Sequence, residues 1–257
     1  KMPVAGHVPD AIGLRGVLAA GQRSIEHLRG YASELLPPSR VRAANPTFDE
    51  RTRWWNAVDP AGMTALAKAT AAAGTWNCPT FAFTVHELSP SDAHRGLVAR
   101  PETGWLSLEG LPKDRSKGYL SGFSEADFAA AQRGLQAQYR LLRALDEAGA
   151  GLLVGTDSWL SGFAFADELE LLVEAGLSPA RVLKMATFDA ARFLSEQSDR
   201  GAIGAGRVAD IVVLGANPLV DIGNVRKVDG VVHGGRFHDR ASLDAMLAAL
   251  RQEQGKR

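Results

Sequence analysis

Short apolar runs alternate with longer amphipathic stretches from Met2 to about Leu194, and glycine closes most of the longer ones. A period near two followed by one near 3.6 reads as a strand and then a helix. Repeating that pair lays parallel strands side by side with helices packed over them. Four such units are present. A strand at Met2–Val8 leads to a helix at Asp10–Ala20, closed by Gly21, and a strand at Arg23–Leu28 returns through a helix at Pro60–Ala73, with Asp59 as N-cap and Gly74 behind it. A strand at Trp76–Thr84 is followed by a helix at Ser124–Ala148, where Asp127 completes a capping-box start. A strand at Gly151–Asp157 precedes a helix at Ala164–Ala175, and a further helix runs from Ser178-Pro179 to about Leu194.

From Asp210 the pattern turns to β, with Ile211–Leu214, an Asn217-Pro218 turn and an apolar run at Val228–Phe237 broken by glycines. A last helix, Ala241–Gln252, sets Leu243, Met246, Leu247 and Leu250 on one face. Two or three short strands seldom make a stable sheet alone, so this region calls for partners outside it. Four strand-helix units are half of what closes a barrel of roughly 250 residues; an open four-stranded sheet is the alternative.

Composition narrows the function. Lys and Arg number 29 against 29 Asp and Glu, without a basic run, which argues against a nucleic-acid surface. No stretch approaches the roughly 18 uninterrupted apolar residues of a membrane span. Cys78, the single cysteine, excludes an internal disulfide and a cysteine-based zinc knuckle. The compartment stays unassigned, since any signal peptide would lie upstream of residue 1.

Three polar side chains stand at the C-terminal ends of expected strands: His7, His27 and Asp157. In a parallel barrel those ends converge on one mouth, and two imidazoles with a carboxylate suit zinc, manganese, iron or nickel. A metal there lets a water lose its proton near neutral pH and attack a polarised carbonyl. Asp157 is placed to take that proton and hand it to the leaving nitrogen. Singly, each residue also has a structural reading, as a hydrogen-bonded histidine or a helix cap. The long connections Arg29–Val58 and Val85–Phe123 follow strand ends, where lids and specificity loops sit. From them and from the residue after Asp157 come the candidate substrate contacts Tyr31, His86 and Ser158. His94, Trp54 and Trp55 share those connections, with solvated loop histidines and aromatic packing as the alternative uses. Gly201–Gly206 follows a helix and lacks a Lys-Ser/Thr ending, so it reads as a turn, and Cys78 reads as a small core residue.

The stretches Gly6-His7-Val8-Pro9, Arg23-Ser24-Ile25-Glu26-His27, Gly155-Thr156-Asp157-Ser158, Glu174-Ala175-Gly176-Leu177-Ser178-Pro179, Ala186-Thr187-Phe188-Asp189-Ala190-Ala191-Arg192-Phe193-Leu194 and Gly201-Ala202-Ile203-Gly204-Ala205-Gly206-Arg207-Val208-Ala209-Asp210 together resemble the amidohydrolase superfamily. The members most similar in flavour are those like imidazolonepropionase and the metal-dependent Xaa-Pro dipeptidases. The resemblance implies an α/β fold: the C-terminal half of a TIM-like (β/α)8 barrel at residues 1–200 carrying strands five to eight, strands of a small composite β-sandwich at 201–240, and a C-terminal helix at 241–257. It implies His7 and His27 as the ligands of strands five and six, and Asp157 as the strand-eight ligand and general base. The divalent metal is expected to be zinc, one ion or two. The superfamily's first-strand His-x-His pair and strand-four lysine have no counterpart here, and Lys1 is not that lysine, because it enters the strand of His7. The expectation is therefore a C-terminal portion whose remaining ligands lie upstream. Its expected reaction is hydrolysis of an amide or cyclic-amide carbon–nitrogen bond by metal-bound hydroxide. A Xaa-Pro dipeptidase is the alternative enzyme, and a non-catalytic fragment or binding module is the alternative of another class. Members of the superfamily are often oligomeric, so a homo-oligomer is compatible with the resemblance.

Overall fold

The computed structural model describes residues 2–40, 46–106, 120–160 and 162–254; Lys1 and parts of both long connections, at 41–45 and 107–119, lie outside them. The chain divides into two compact units, Lys1–Arg95 with Lys113–Asp157 and Gly96–Pro112 with Ser158–Arg257.

The first unit is built on a parallel sheet of β1 (Ala5–Gly6), β2 (Ser24–Glu26), β3 (Trp76–Cys78) and β4 (Gly151–Leu152), in that spatial order. Ala5 pairs with Ser24, Ile25 with Asn77, and Asn77 with Leu152. Strand order therefore follows chain order, as successive helical crossovers require. α1 (Gly13–Ala20) joins β1 to β2; α2 (Tyr31–Leu35), α3 (Phe48–Trp54) and α4 (Met63–Ala72) lie between β2 and β3; α5 (Phe81–His86), α6 (Ser91–Val98) and α7 (Glu125–Glu147) lie between β3 and β4.

The expected caps are present. Asp59 accepts from the Ala61 N–H at 2.9 Å, and Ser124 and Asp127 form a reciprocal capping box at the start of α7. α7 then turns Phe128, Ala131, Leu135, Leu142 and Leu145 inward, the spacing of one helical face. Phe128 and Ala131 pack with Leu88 and Leu120, and Ile25, Phe81 and Leu152 are fully buried as well; each full burial of a large side chain is worth about 1.5–3 kcal/mol relative to exposure.

Two expectations need correcting. The strand read as Trp76–Thr84 ends at Cys78, because Pro79 has no N–H to donate to the ladder and Thr80 adopts φ 53°. The apolar run after it is helix α5, with Phe81 and Ala82 fully buried; a short apolar run does not distinguish a buried strand from a buried helical turn. The long connections are likewise not open loops: the first carries α2 and α3 and the second α6. As expected, Cys78 is a buried core residue, and it explains Gly155: a Cβ there would stand 2.4 Å from the Cys78 Sγ.

In the second unit α8 (Ala164–Glu174) is followed by α9 (Pro179–Lys184), one π turn at Met185–Asp189, and α10 (Ala190–Phe193). These last three realise the helix expected from Ser178, whose hydroxyl accepts from the Arg181 N–H at 3.2 Å. β5 (Ile211–Leu214), β6 (Val228–His233) and β7 (Arg236–Asp239) form an antiparallel sheet. The β6–β7 turn uses Gly234 and Gly235, both at positive φ, as a tight two-residue hairpin demands. α11 (Arg240–Gln254) sends the Arg251 guanidinium over the Trp105 ring at 4.5 Å. Among the described residues no helix is long and apolar enough to cross a membrane.

Candidate active site

The C-terminal end of the parallel sheet gathers the polar side chains of the first unit. His7 directly follows β1 and His27 directly follows β2; Asp157 lies five residues past β4. The two imidazole rings stand 4.9 Å apart between centroids, edge to face. His27 Nε2 lies 3.5 Å from Asp157 Oδ2. His7 is exposed and the Asp157 side chain is 58% exposed, whereas that of His27 is 28% exposed. Burial holds the His27 imidazole below its ordinary pKa, against the upward pull of Asp157, so the ring is neutral at neutral pH. Among the described residues no three His, Cys, Asp or Glu side chains close into a ready-made metal cage. The donor types are those of a transition-metal site, and two of the three face solvent.

Backbone strain concentrates at this end of the sheet. His27, Leu28, Thr80 and Asp157 all have positive φ, at 58°, 48°, 53° and 43°; the fifth such non-glycine residue among those described is Ser195. Each costs on the order of 1–3 kcal/mol, and such residues cluster where side chains must be aimed. The β-branched Thr80 is the least suited to this region. Its hydroxyl donates to the Pro79 carbonyl at 2.7 Å and lies 2.6 Å from His27 Nδ1. Sequence reasoning missed Thr80 by carrying β3 to Thr84; the available signal was Pro79, which stops a ladder and marks Thr80 as the residue at that strand's mouth.

Beside His27 opens a cavity of about 90 Å³, lined among others by Arg29, Arg51, Phe48, Phe83 and Trp55. The Arg29 and Arg51 guanidiniums both donate to Asp10 Oδ2, each at 3.3 Å. Burial, and then the neighbouring Arg29 charge, press the Arg51 guanidinium below its ordinary pKa. Two cations therefore share one carboxylate at this wall.

The substrate-contact candidates fall elsewhere. Tyr31 has no exposed surface, and its hydroxyl bonds to Asn77 and Thr70 in the core. His86 is 1% exposed within α5 and His94 is buried in α6, so neither is a solvated loop histidine. The Ser158 hydroxyl accepts from the Leu160 N–H at 3.3 Å, a local turn contact. Trp54 and Trp55 line the cavity beside His27.

A sequence profile of the amidohydrolase family matches residues 1–237. The chain belongs to the amidohydrolase family. No curated protein matches it at a significant level. Among solved structures, the chain is similar to the bottromycin amidohydrolase, with a TM-score of 0.68, 28% identity, and 99% of this chain and 54% of that one covered. A Xaa-Pro dipeptidase with methionine bound in its active site aligns with a TM-score of 0.57 and 20% identity over 93% of this chain and 45% of that one. A prolidase complexed with N-methylphosphonate-L-proline gives 0.54 and 24%, over 93% and 45%. At those identities the last two are likenesses of fold. The chain spans about half the length of the solved structures it matches.

Proposed function

We propose that the protein is a metal-dependent hydrolase cleaving an amide or cyclic-amide carbon–nitrogen bond of a small molecule, with His7 and His27 as ligands and Asp157 as ligand and general base. The observation that carries this reading is the meeting of two imidazoles and a carboxylate at the C-terminal end of a parallel sheet, in a chain of the amidohydrolase family. The four parallel strands are read as strands five to eight of a TIM-like (β/α)8 barrel, whose other half supplies the remaining ligands. Residues 201–240 are read as part of a composite sandwich, a reading supported by Val212 and Phe237, which stand 56% and 59% exposed on the three-stranded sheet.

The side chains fit a divalent metal, zinc first: a partly buried neutral imidazole, a second imidazole and a carboxylate are its ordinary donors. When bound, such a metal supplies Lewis acidity toward the scissile carbonyl and acidifies water. Asp157, more than half exposed, accepts the proton of the attacking water and returns it to the leaving nitrogen. His27, neutral and partly buried, holds its lone pair ready. The Arg29 and Arg51 guanidiniums line the cavity beside it, and such donors favour a substrate bearing an anionic group.

Metal analysis of the full-length natural protein, beside hydrolysis of a panel of small amides and Xaa-Pro dipeptides with free or amidated carboxyl ends, tests the reading. A bound divalent metal is expected, with occupancy falling on His7→Ala and His27→Ala. Asp157→Asn should lower turnover by about 10²–10⁴-fold. Absence of metal and of hydrolysis would make the chain a binding module with structural histidines.

A further inference from the structure

We propose that Thr80 is a positioning residue that selects the tautomer of His27 and aims its Nε2 lone pair at the space shared with Asp157. The geometry is local and complete. A hydroxyl has one hydrogen, and the Pro79 carbonyl oxygen, 2.7 Å from Thr80 Oγ1, has none, so the hydroxyl hydrogen lies between them. His27 Nδ1 approaches the same oxygen to 2.6 Å. Were Thr80 to donate to Nδ1 instead, two acceptor oxygens would face each other 2.7 Å apart with no hydrogen between them. Nδ1 therefore brings the proton. A neutral imidazole carries only one, which leaves Nε2 with a lone pair, 3.5 Å from the Asp157 carboxylate. Two electron-rich groups face each other there, an arrangement that a cation reconciles.

Burial protects this chain of bonds. Thr80 is 4% exposed, so water does not compete for its hydroxyl. The left-handed backbone at Thr80, φ 53° and ψ 52°, is a conformation that glycine adopts more readily and a β-branched residue poorly. Glycine would lack the hydroxyl. The consequence for metal binding rests on the metal-dependent reading above; the tautomer itself does not. A ligating histidine characteristically donates its other ring nitrogen to a fixed acceptor, which orients the ring.

The test is NMR of the metal-free chain labelled with ¹⁵N-histidine, at mildly alkaline pH, with the His27 signals assigned by their loss in His27→Asn. The Nδ1–H tautomer is expected in the wild type and in Thr80→Ser, and the Nε2–H tautomer in Thr80→Val and Thr80→Gly. A wild-type ring protonated on Nε2, or a Thr80→Val ring still protonated on Nδ1, overturns the proposal. Zinc affinity of the full-length natural protein, read by competition with a chromophoric chelator, should fall about 10–100-fold in Thr80→Val and Thr80→Gly and stay within about threefold in Thr80→Ser. Thr80→Gly should also raise the melting temperature, which separates aiming from folding. Undiminished zinc affinity in both hydroxyl-free variants would overturn the positioning role. A wild-type full-length protein that takes up no zinc, while the His27 tautomer follows the hydroxyl, sinks the metal reading and leaves the Thr80–His27 link standing.

Discussion

The Tyr31 hydroxyl donates to Asn77 Oδ1 at 2.8 Å, tying α2 to the middle of β3 across 46 positions of chain. Both residues are fully buried, and burial pushes the phenol well above its ordinary pKa, so Tyr31 is a neutral structural donor. Tyr31→Phe leaves the Asn77 carbonyl oxygen unmet and should cost about 1–3 kcal/mol of stability in urea titration. Metal binding and kinetics of the folded fraction should be unchanged. Unchanged stability with weakened substrate binding would instead make Tyr31 a substrate contact.

The start of α7 gives a pH-dependent prediction. The Ser124 hydroxyl and N–H, and then Arg53, hold the Asp127 carboxyl below its ordinary value of 3.8. A depressed carboxylate contributes stability that is complete above its unfolded value and lost as pH falls through the folded one. Ser124→Ala should therefore cost about 1 kcal/mol at neutral pH. The gap from wild type should narrow as the pH falls below about 4, where the Ser124 hydroxyl loses its ionised acceptor, and the part due to the Asp127 N–H to Ser124 Oγ bond should remain. Thermal melts across an acid series check both halves.

A substitution in the opposite direction is available at Ser195. It follows α10 with φ 64°, while its own N–H bonds to the Arg192 carbonyl and the Glu196 N–H to the Ala191 carbonyl, the paired bonds of a left-handed helix cap. The side chain is exposed. Ser195→Gly should stabilise by about 1 kcal/mol, because glycine enters this region without a Cβ penalty. Chemical denaturation with no gain in midpoint would contradict the strain.

Asp189 is the anchor of the second unit's π turn. Its carboxylate, 1% exposed, accepts from Arg181 Nη1 at 2.6 Å and Lys184 Nζ at 2.9 Å, with Arg192 Nη2 at 3.5 Å. Asp189→Asn keeps the shape but removes the charge and turns one accepting oxygen into an NH2 donor facing a cation, so it should cost at least about 1.5–3 kcal/mol. Because the acceptor is buried, moderate salt should leave most of that difference in place. A salt-erased difference would mean that the pairs behave as exposed ones.

Features that depend on a few neighbouring residues were legible in the sequence. Asp59, Ser124 and Ser178 announce helix starts, because a cap is a bond between one side chain and an N–H two or three positions on. The four strands and their parallel order follow from alternation and from crossover length. His7, His27 and Asp157 stand out as polar residues at the ends of apolar runs, and the structure brings them to one end of one sheet.

Tertiary structure decided where β3 stops, and with it that Thr80, not Thr84, stands beside His27. It also decided that Tyr31 and His86 are core side chains and that the long connections hold helices. The physical reason is that an apolar run such as Phe81-Ala82-Phe83 satisfies burial equally as strand or helix. The choice falls to one backbone turn at Pro79-Thr80 and to what packs against it, a contact with α7, more than forty positions away.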